Sequence, residues 1–159
     1  MRTVRQLLEA KSPAIHAIRP EAPVLDAIRL MAEARIGALL VMDGPRLVGI
    51  LSERDYARKV VLQGRSSSDT PVRDIMTADV VVATSLDTSD HCMQVMTDHR
   101  IRHLPVVDGD DVVGMISIGD LVKAVIDRIR ALGAVSVRKM DGIEETVKFP
   151  LPKGLKLDA

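Results

Sequence analysis

At 159 residues, with 47% of them hydrophobic, the chain can bury one core or two intimately packed halves. Its 22 basic and 22 acidic residues balance, and one tyrosine, one phenylalanine and no tryptophan leave neither the basic field nor the stacking rings of a nucleic-acid binder. A single cysteine, Cys92, excludes an internal disulfide, and apolar runs such as "IGALLVM" fall far short of the roughly 20 residues that span a bilayer, so a soluble, cytoplasmic chain without a signal peptide is expected.

In chain order, "VRQLL" (4–8) precedes a short apolar strand, "AIHAI" (14–18). "APVLDAIRLMAEARI" then puts Val24, Leu25, Ile28, Met31 and Ala32 on one stripe of an amphipathic helix. The runs "ALLVM" and "LVGIL" flank "DGPR". Asp-Gly between two β-rich runs predicts a hairpin, because glycine accepts the positive φ of a tight turn. A second helix is expected to start at Ser52, where Ser-x-x-Asp in "GILSERD" forms a capping box with Asp55. "LQGRSSSDTP" (62–71) reads as a flexible linker. The order then recurs: "VRDIM" (72–76), the strand "VVVA" (80–83), a helix carrying Met93, Val95 and Met96, the pair "LPVV" and "VVGMI" around "DGDD", and a helix from Ser117 with Asp120 in "GMISIGD".

The recurrence is a duplication. A shift of 65 matches Met31 with Met96, Arg35 with Arg100, Gly44 with Gly109, Gly49 with Gly114, Ser52 with Ser117 and Asp55 with Asp120, without a gap from 31 to 55. "VRQLL" and "VRDIM" match at 68 instead, so the first unit carries about three extra residues before its first helix. Two units are too few for a solenoid and imply a closed pair. The units run 1–66 and 67–131, followed by a tail, 132–159, that the pattern does not interpret.

The β-α-β-β-α order, the Asp-Gly hairpin, "RHLPVVD" and above all Gly-h-h-Ser-x-x-Asp (h, hydrophobic) at the strand-to-helix junction resemble a cystathionine-β-synthase (CBS) domain, and two in tandem resemble the pair called a Bateman module. The resemblance covers roughly residues 3 to 130. It implies an α+β fold of two β-α-β-β-α units packed sheet to sheet about a pseudo-twofold axis, with two clefts that take adenosyl ligands: AMP, ADP or ATP, less often NAD or S-adenosylmethionine.

The residues supply a reason for ligands at these junctions. A helix start presents N–H groups without intrahelical partners, a serine hydroxyl can donate to phosphate or ribose, and a carboxylate one turn in can accept from two ribose hydroxyls. The resemblance then implies that Asp55 and Asp120 take the ribose, Ser52 and Ser117 the ribose-phosphate edge, and Ile50 and Met115 the adenine. It places Arg102, His103 and Pro105 at the Asp55 cleft and their counterparts Gly37, Ala38 and Leu40 at the Asp120 cleft. The early strands, Ile15 to Ala17 and Val80 to Val82, would offer backbone groups to the adenine edge. With Arg54, Arg102 and His103 the first cleft is the better phosphate site; Gly119 replaces Arg54 at the second. Arg102 has a second reading, a salt bridge across the unit interface.

Met31 and Met96 read as core, and Cys92, aligned with Ala27, as a small core residue. His99 and His103 are four apart, but the helix should end between them, so no metal site is expected. Phosphate-loop, dinucleotide, nucleophile-elbow and zinc-helix motifs are missing from the sequence, and no enzyme is expected. Two functions follow: a stand-alone regulatory module that senses adenine nucleotides, and hence energy or metabolite state, and signals to an unidentified protein partner; or a ligand-independent structural or dimerisation module. A homodimer is expected in either case.

Overall fold

A computed structural model describes residues 2–11 and 14–131; the expected C-terminal tail lies outside them. The chain runs α1 (Val4–Glu9), β1 (Ala17–Ile18), α2 (Val24–Ala34), β2 (Ala38–Asp43), β3 (Arg46–Ser52), α3 (Glu53–Tyr56), α4 (Ser89–Asp98), β4 (His103–Asp108), β5 (Asp111–Ser117) and α5 (Ile118–Ala131). A π-helical turn (Ala57–Val61) continues α3, and a 3₁₀ turn (Val72–Asp74) precedes the second unit's first strand.

The duplication is visible in the backbone. β2 and β3 pair antiparallel with a register shift at Val41/Met42, and β4 and β5 do so with a shift at Val106/Val107, one repeat further on. Both hairpins turn on a glycine of positive φ, Gly44 at 58° and Gly109 at 63°. Each first helix is followed by an arginine in left-handed backbone, Arg35 at φ 55° and Arg100 at φ 54°. On α2, Val24, Ala27 and Met31 are buried, while Ala32, expected on the inward stripe, is exposed. Met96 and Cys92 are buried on α4, and burial, with Asp87 nearby, pushes the Cys92 thiol up to about 11.

The first strands are unequal. β1 lies parallel to β2, with Ala17 opposite Leu40 and Ile18 opposite Val41, and Leu40 N–H donates to the His16 carbonyl at 3.2 Å. In the second unit only Ala83 pairs, with Val106, so the strand expected over 80–83 shrinks to one bridge. Residue 105, the counterpart of Leu40, is proline and has no N–H to give.

Each unit's leading turn belongs to the other unit's core. Val4 and Leu7 of α1 pack with Cys92, Met96, Leu104, Ile116 and Leu121, whereas Val72 and Ile75 pack with Val24, Met31, Leu39 and Leu51 of the first unit. The backbone ties are symmetric. Val4 N–H donates to Asp87 O (2.8 Å) and Arg5 N–H to Ser85 O (2.9 Å), matched by Val72 to Ala22 and Arg73 to Pro20, both 2.9 Å. The sheets pack through β3 and β5. The segment read as a flexible linker is held in place: Leu25 N–H donates to Ser67 O at 2.9 Å, and the Tyr56 and Ser67 hydroxyls lie 3.1 Å apart.

Candidate functional site

Each strand-to-helix junction is a complete capping box. Ser52 N–H and Oγ donate to Asp55 Oδ2 at 3.0 and 2.7 Å, and Asp55 N–H returns to Ser52 Oγ at 3.3 Å. Ser117 and Asp120 repeat the set at 2.7, 2.9 and 3.3 Å. The two carboxylates differ in their third partner. Asp55 Oδ1 meets Lys59 Nζ at 2.8 Å, one turn along its own helix, and Lys59 also donates to Ile75 O at 2.7 Å. Asp120 Oδ2 meets Lys11 Nζ at 2.8 Å, and Lys11, from the chain start, also donates to Met115 O at 3.1 Å. Burial raises the Asp120 carboxyl, but the bonds from Lys11 and Ser117 and the Lys11 charge outweigh it and leave it below its ordinary value of 3.8.

Around Asp55 lies a cavity of about 270 Å³. Of the residues expected there, Ile50, Ser52, Arg54, Asp55, Val80, Arg102 and His103 line it. Pro105 is buried in β4 opposite Met115 and does not, and Val82 is exposed to solvent outside it. Gly37, expected at the other cleft, lines this one: it lies just before β2, where a side chain at 37 would meet Glu53 and His103. Ala38 is fully buried opposite Ser52, and Leu40 is likewise buried in β2. Ile15 is exposed, and Ala17 is engaged with Leu40.

Val81, inside the early strand expected over Val80 to Val82, lines the cavity too, and Thr77, Asp79, Glu53, Arg100 and Ile101 also line it but were not singled out by motif. Thr77 is fixed by a two-way bridge to Ile50, at 3.0 and 2.9 Å. The 68-residue spacing of "VRQLL" and "VRDIM" was the available signal for this segment, because the turn that opens one unit crosses to the other. His103 stands between the clefts. Burial lowers its pKa from 6.5, helped by Lys11 and Arg102 and opposed by Asp120, so a neutral imidazole is favoured there.

Among the described residues no group of three or more His, Cys, Asp or Glu side chains is placed to hold a metal ion, and no helix is long and apolar enough to cross a membrane. The site offers an acceptor carboxylate, cationic donors and an apolar wall.

Comparison with protein families matches the CBS domain twice, over residues 4–62 and 72–127. The chain belongs to the CBS-domain family. Over 112 residues it is 45% identical to the mitochondrial CBS domain-containing protein CBSX3 of Arabidopsis thaliana, covering 67% of this chain and about half, 54%, of that protein's length. A putative signal-transduction protein with CBS domains from Burkholderia ambifaria superposes with a TM-score of 0.78 at 55% identity, over 79% of this chain and 95% of the other. The CBS domain pair of protein MJ0100, in complex with 5′-methylthioadenosine and S-adenosyl-L-methionine, superposes at 0.72 with 26% identity, over 80% of this chain and 98% of that one. The two CBS units thus form a pair of known architecture, with one cleft lined by arginines and carboxylates together and the other crossed by Lys11.

Proposed function

We propose that this CBS pair is a regulatory module that binds an adenosyl nucleotide in the Asp55 cleft and reports its occupancy to a protein partner. The observation that carries the reading is the composition of the 270 Å³ cavity, where Asp55, the apolar Ile50, Val80 and Val81, the cations Arg54 and Arg102 and the imidazole of His103 share one space. These are the polar and apolar needs of a nucleoside phosphate. A carboxylate has about four lone-pair positions, and Ser52 N–H, Ser52 Oγ and Lys59 take three at Asp55. A ribose hydroxyl takes the fourth. The adenosyl ligands of the MJ0100 pair support the chemical class.

The output is conformational, not catalytic. A ligand that touches β3 and α3 of one unit and the β4 start of the other favours one relative setting of the two, and only such differential affinity shifts an equilibrium. A second copy of the chain or the regulated protein reads that setting.

The ligand-independent alternative draws on a specific observation: both Ser-Asp pairs are already satisfied as helix caps. Thermal denaturation with AMP, ADP, ATP, NAD and S-adenosylmethionine separates the two. A ligand in hundredfold excess over its Kd adds roughly 2.7 kcal/mol. Asp55→Ala should abolish that gain, and Asp120→Ala, which loses the same kind of cap, should keep it. If none of the five stabilises the natural chain, the structural module is the better account.

A further inference from the structure

Adjoining the Asp55 cavity is a second groove, of about 380 Å³, bordered by Arg54, Arg58, Arg100 and Arg102 together with Met96 and Ile118. Arg54, Arg100 and Arg102 line both spaces, so the two adjoin along these side chains; Arg58 lines the groove and not the cavity. No carboxylate lines the groove. Among the described residues none of these four arginines is in a salt bridge.

The fold gathers these charges against local preference. Arg54 and Arg58 are four apart on α3 and its π turn, a spacing at which like charges on a helix repel. Arg100 occupies left-handed backbone, which L side chains avoid, and its carbonyl accepts from Arg54 Nη1 at 3.1 Å. That bond pins one guanidinium where cavity and groove meet. The duplicate positions repeat the cluster only in part: Gly119 stands for Arg54 and Gly37 for Arg102, whereas Arg35 and Lys123 keep the charge of Arg100 and Arg58. The four charges come together in full at one cleft only, because the duplicate has glycine in place of two of them.

The cavity alone is smaller than the roughly 300–1,000 Å³ of small-molecule sites, so phosphates on a nucleoside bound there extend into the groove. A single phosphomonoester carries about −1.5 to −2 charges at pH 7, well under the four guanidinium charges around it. A triphosphate matches them, and guanidinium forks suit successive phosphate oxygens.

Resting on the adenosyl reading of the Asp55 cleft, we propose that the four-arginine groove is a subsite for the distal phosphates of a nucleoside triphosphate, with Arg58 discriminating triphosphate from monophosphate. The test is calorimetric titration at low ionic strength, without divalent cations, of the natural chain and of Arg58→Gln, with adenosine, AMP, ATP and inorganic tripolyphosphate as probes. The expected result is that ATP binds at least roughly tenfold more tightly than AMP, and that Arg58→Gln cuts the ATP-to-AMP affinity ratio by roughly tenfold, the worth of one charge-assisted hydrogen bond. Equal affinities for ATP and AMP, or a ratio that Arg58→Gln leaves unchanged, overturn the subsite while adenosyl binding stands. Tripolyphosphate binding as tightly as ATP rejects the nucleotide source. If adenosine, AMP and ATP all fail to bind, it is the adenosyl reading itself that falls.

Discussion

Lys11 stands at the Asp120 cleft where the Asp55 cleft has a residue of opposite charge. With the leading turns aligned at 68, the counterpart of Lys11 is Asp79, which lines the Asp55 cavity. One cleft thus receives a cation from the segment that crosses into it, and the other a carboxylate. Lys11 Nζ, 2.8 Å from Asp120 and 3.1 Å from Met115 O, sits on the carboxylate that a ribose would need. Asp120 has no more partners than Asp55, which keeps Lys59, so what removing Lys11 should do is clear the approach to the carboxylate from the crossing segment. Calorimetry with adenosine, which brings no phosphate, is expected to resolve one binding step in the natural chain and two in Lys11→Ala; a single step in both would mean that Lys11 does not guard the second cleft. The pair also bears on acid stability. Because the Asp120 carboxyl is lowered from 3.8, its contribution is present above that value and lost as pH falls through the lower, folded value, and Lys11→Ala should shrink this acid-labile part.

At the scale of elements, much was legible from period and turn chemistry. The hairpins, the capped helix starts and the inward Met31 and Met96 follow from residues acting on near neighbours, which a sequence displays directly. What was not legible depends on residues distant in the chain. The missing half of the second unit's first strand needs Pro105 to face Val81 and Val82 across the sheet, and Thr77 and Asp79 enter the site only because the turn before them crosses to the other unit. The motif glycines show the same dependence. A Cβ at Gly49 would sit 2.6 Å from Met76 Sδ and 3.1 Å from the Thr77 carbonyl, and one at Gly114 would sit 2.8 Å from Leu8 Cδ2. Both glycines let the partner unit's leading turn close onto the sheet. Leu8 is half-buried and can swing its methyl away, whereas the Thr77 carbonyl is backbone, bonded to Ile50. Gly49→Ala is therefore expected to cost about 1–3 kcal/mol, as overpacking does, and Gly114→Ala less than about 1 kcal/mol. Urea unfolding of the two variants checks the order; the reverse order would show that the Thr77 contact is not the constraint.

The exchange of leading turns decides how the whole molecule unfolds. Leu7 and Ile75 occupy equivalent places 68 apart, and each is buried in the core of the unit it does not belong to by sequence. Neither core closes without a piece of chain from the other, and the bridges Thr3–Thr88 and Pro23–Pro71 fasten the pieces in place. A chain built this way has no cheap state with one unit folded and one open, because opening either unit removes a leading turn, and with it buried leucine or isoleucine, from the other. Leu7→Ala and Ile75→Ala should each cost about 2–5 kcal/mol, and each should lower the midpoint of one cooperative transition without splitting it or changing the denaturant slope. Native-state hydrogen exchange gives the sharper reading: Leu7→Ala should reduce protection in β2 and β3 as much as in β4 and β5. Loss confined to the second unit would show that the units open separately, and it would remove the mechanical link by which a ligand held between them is felt by both.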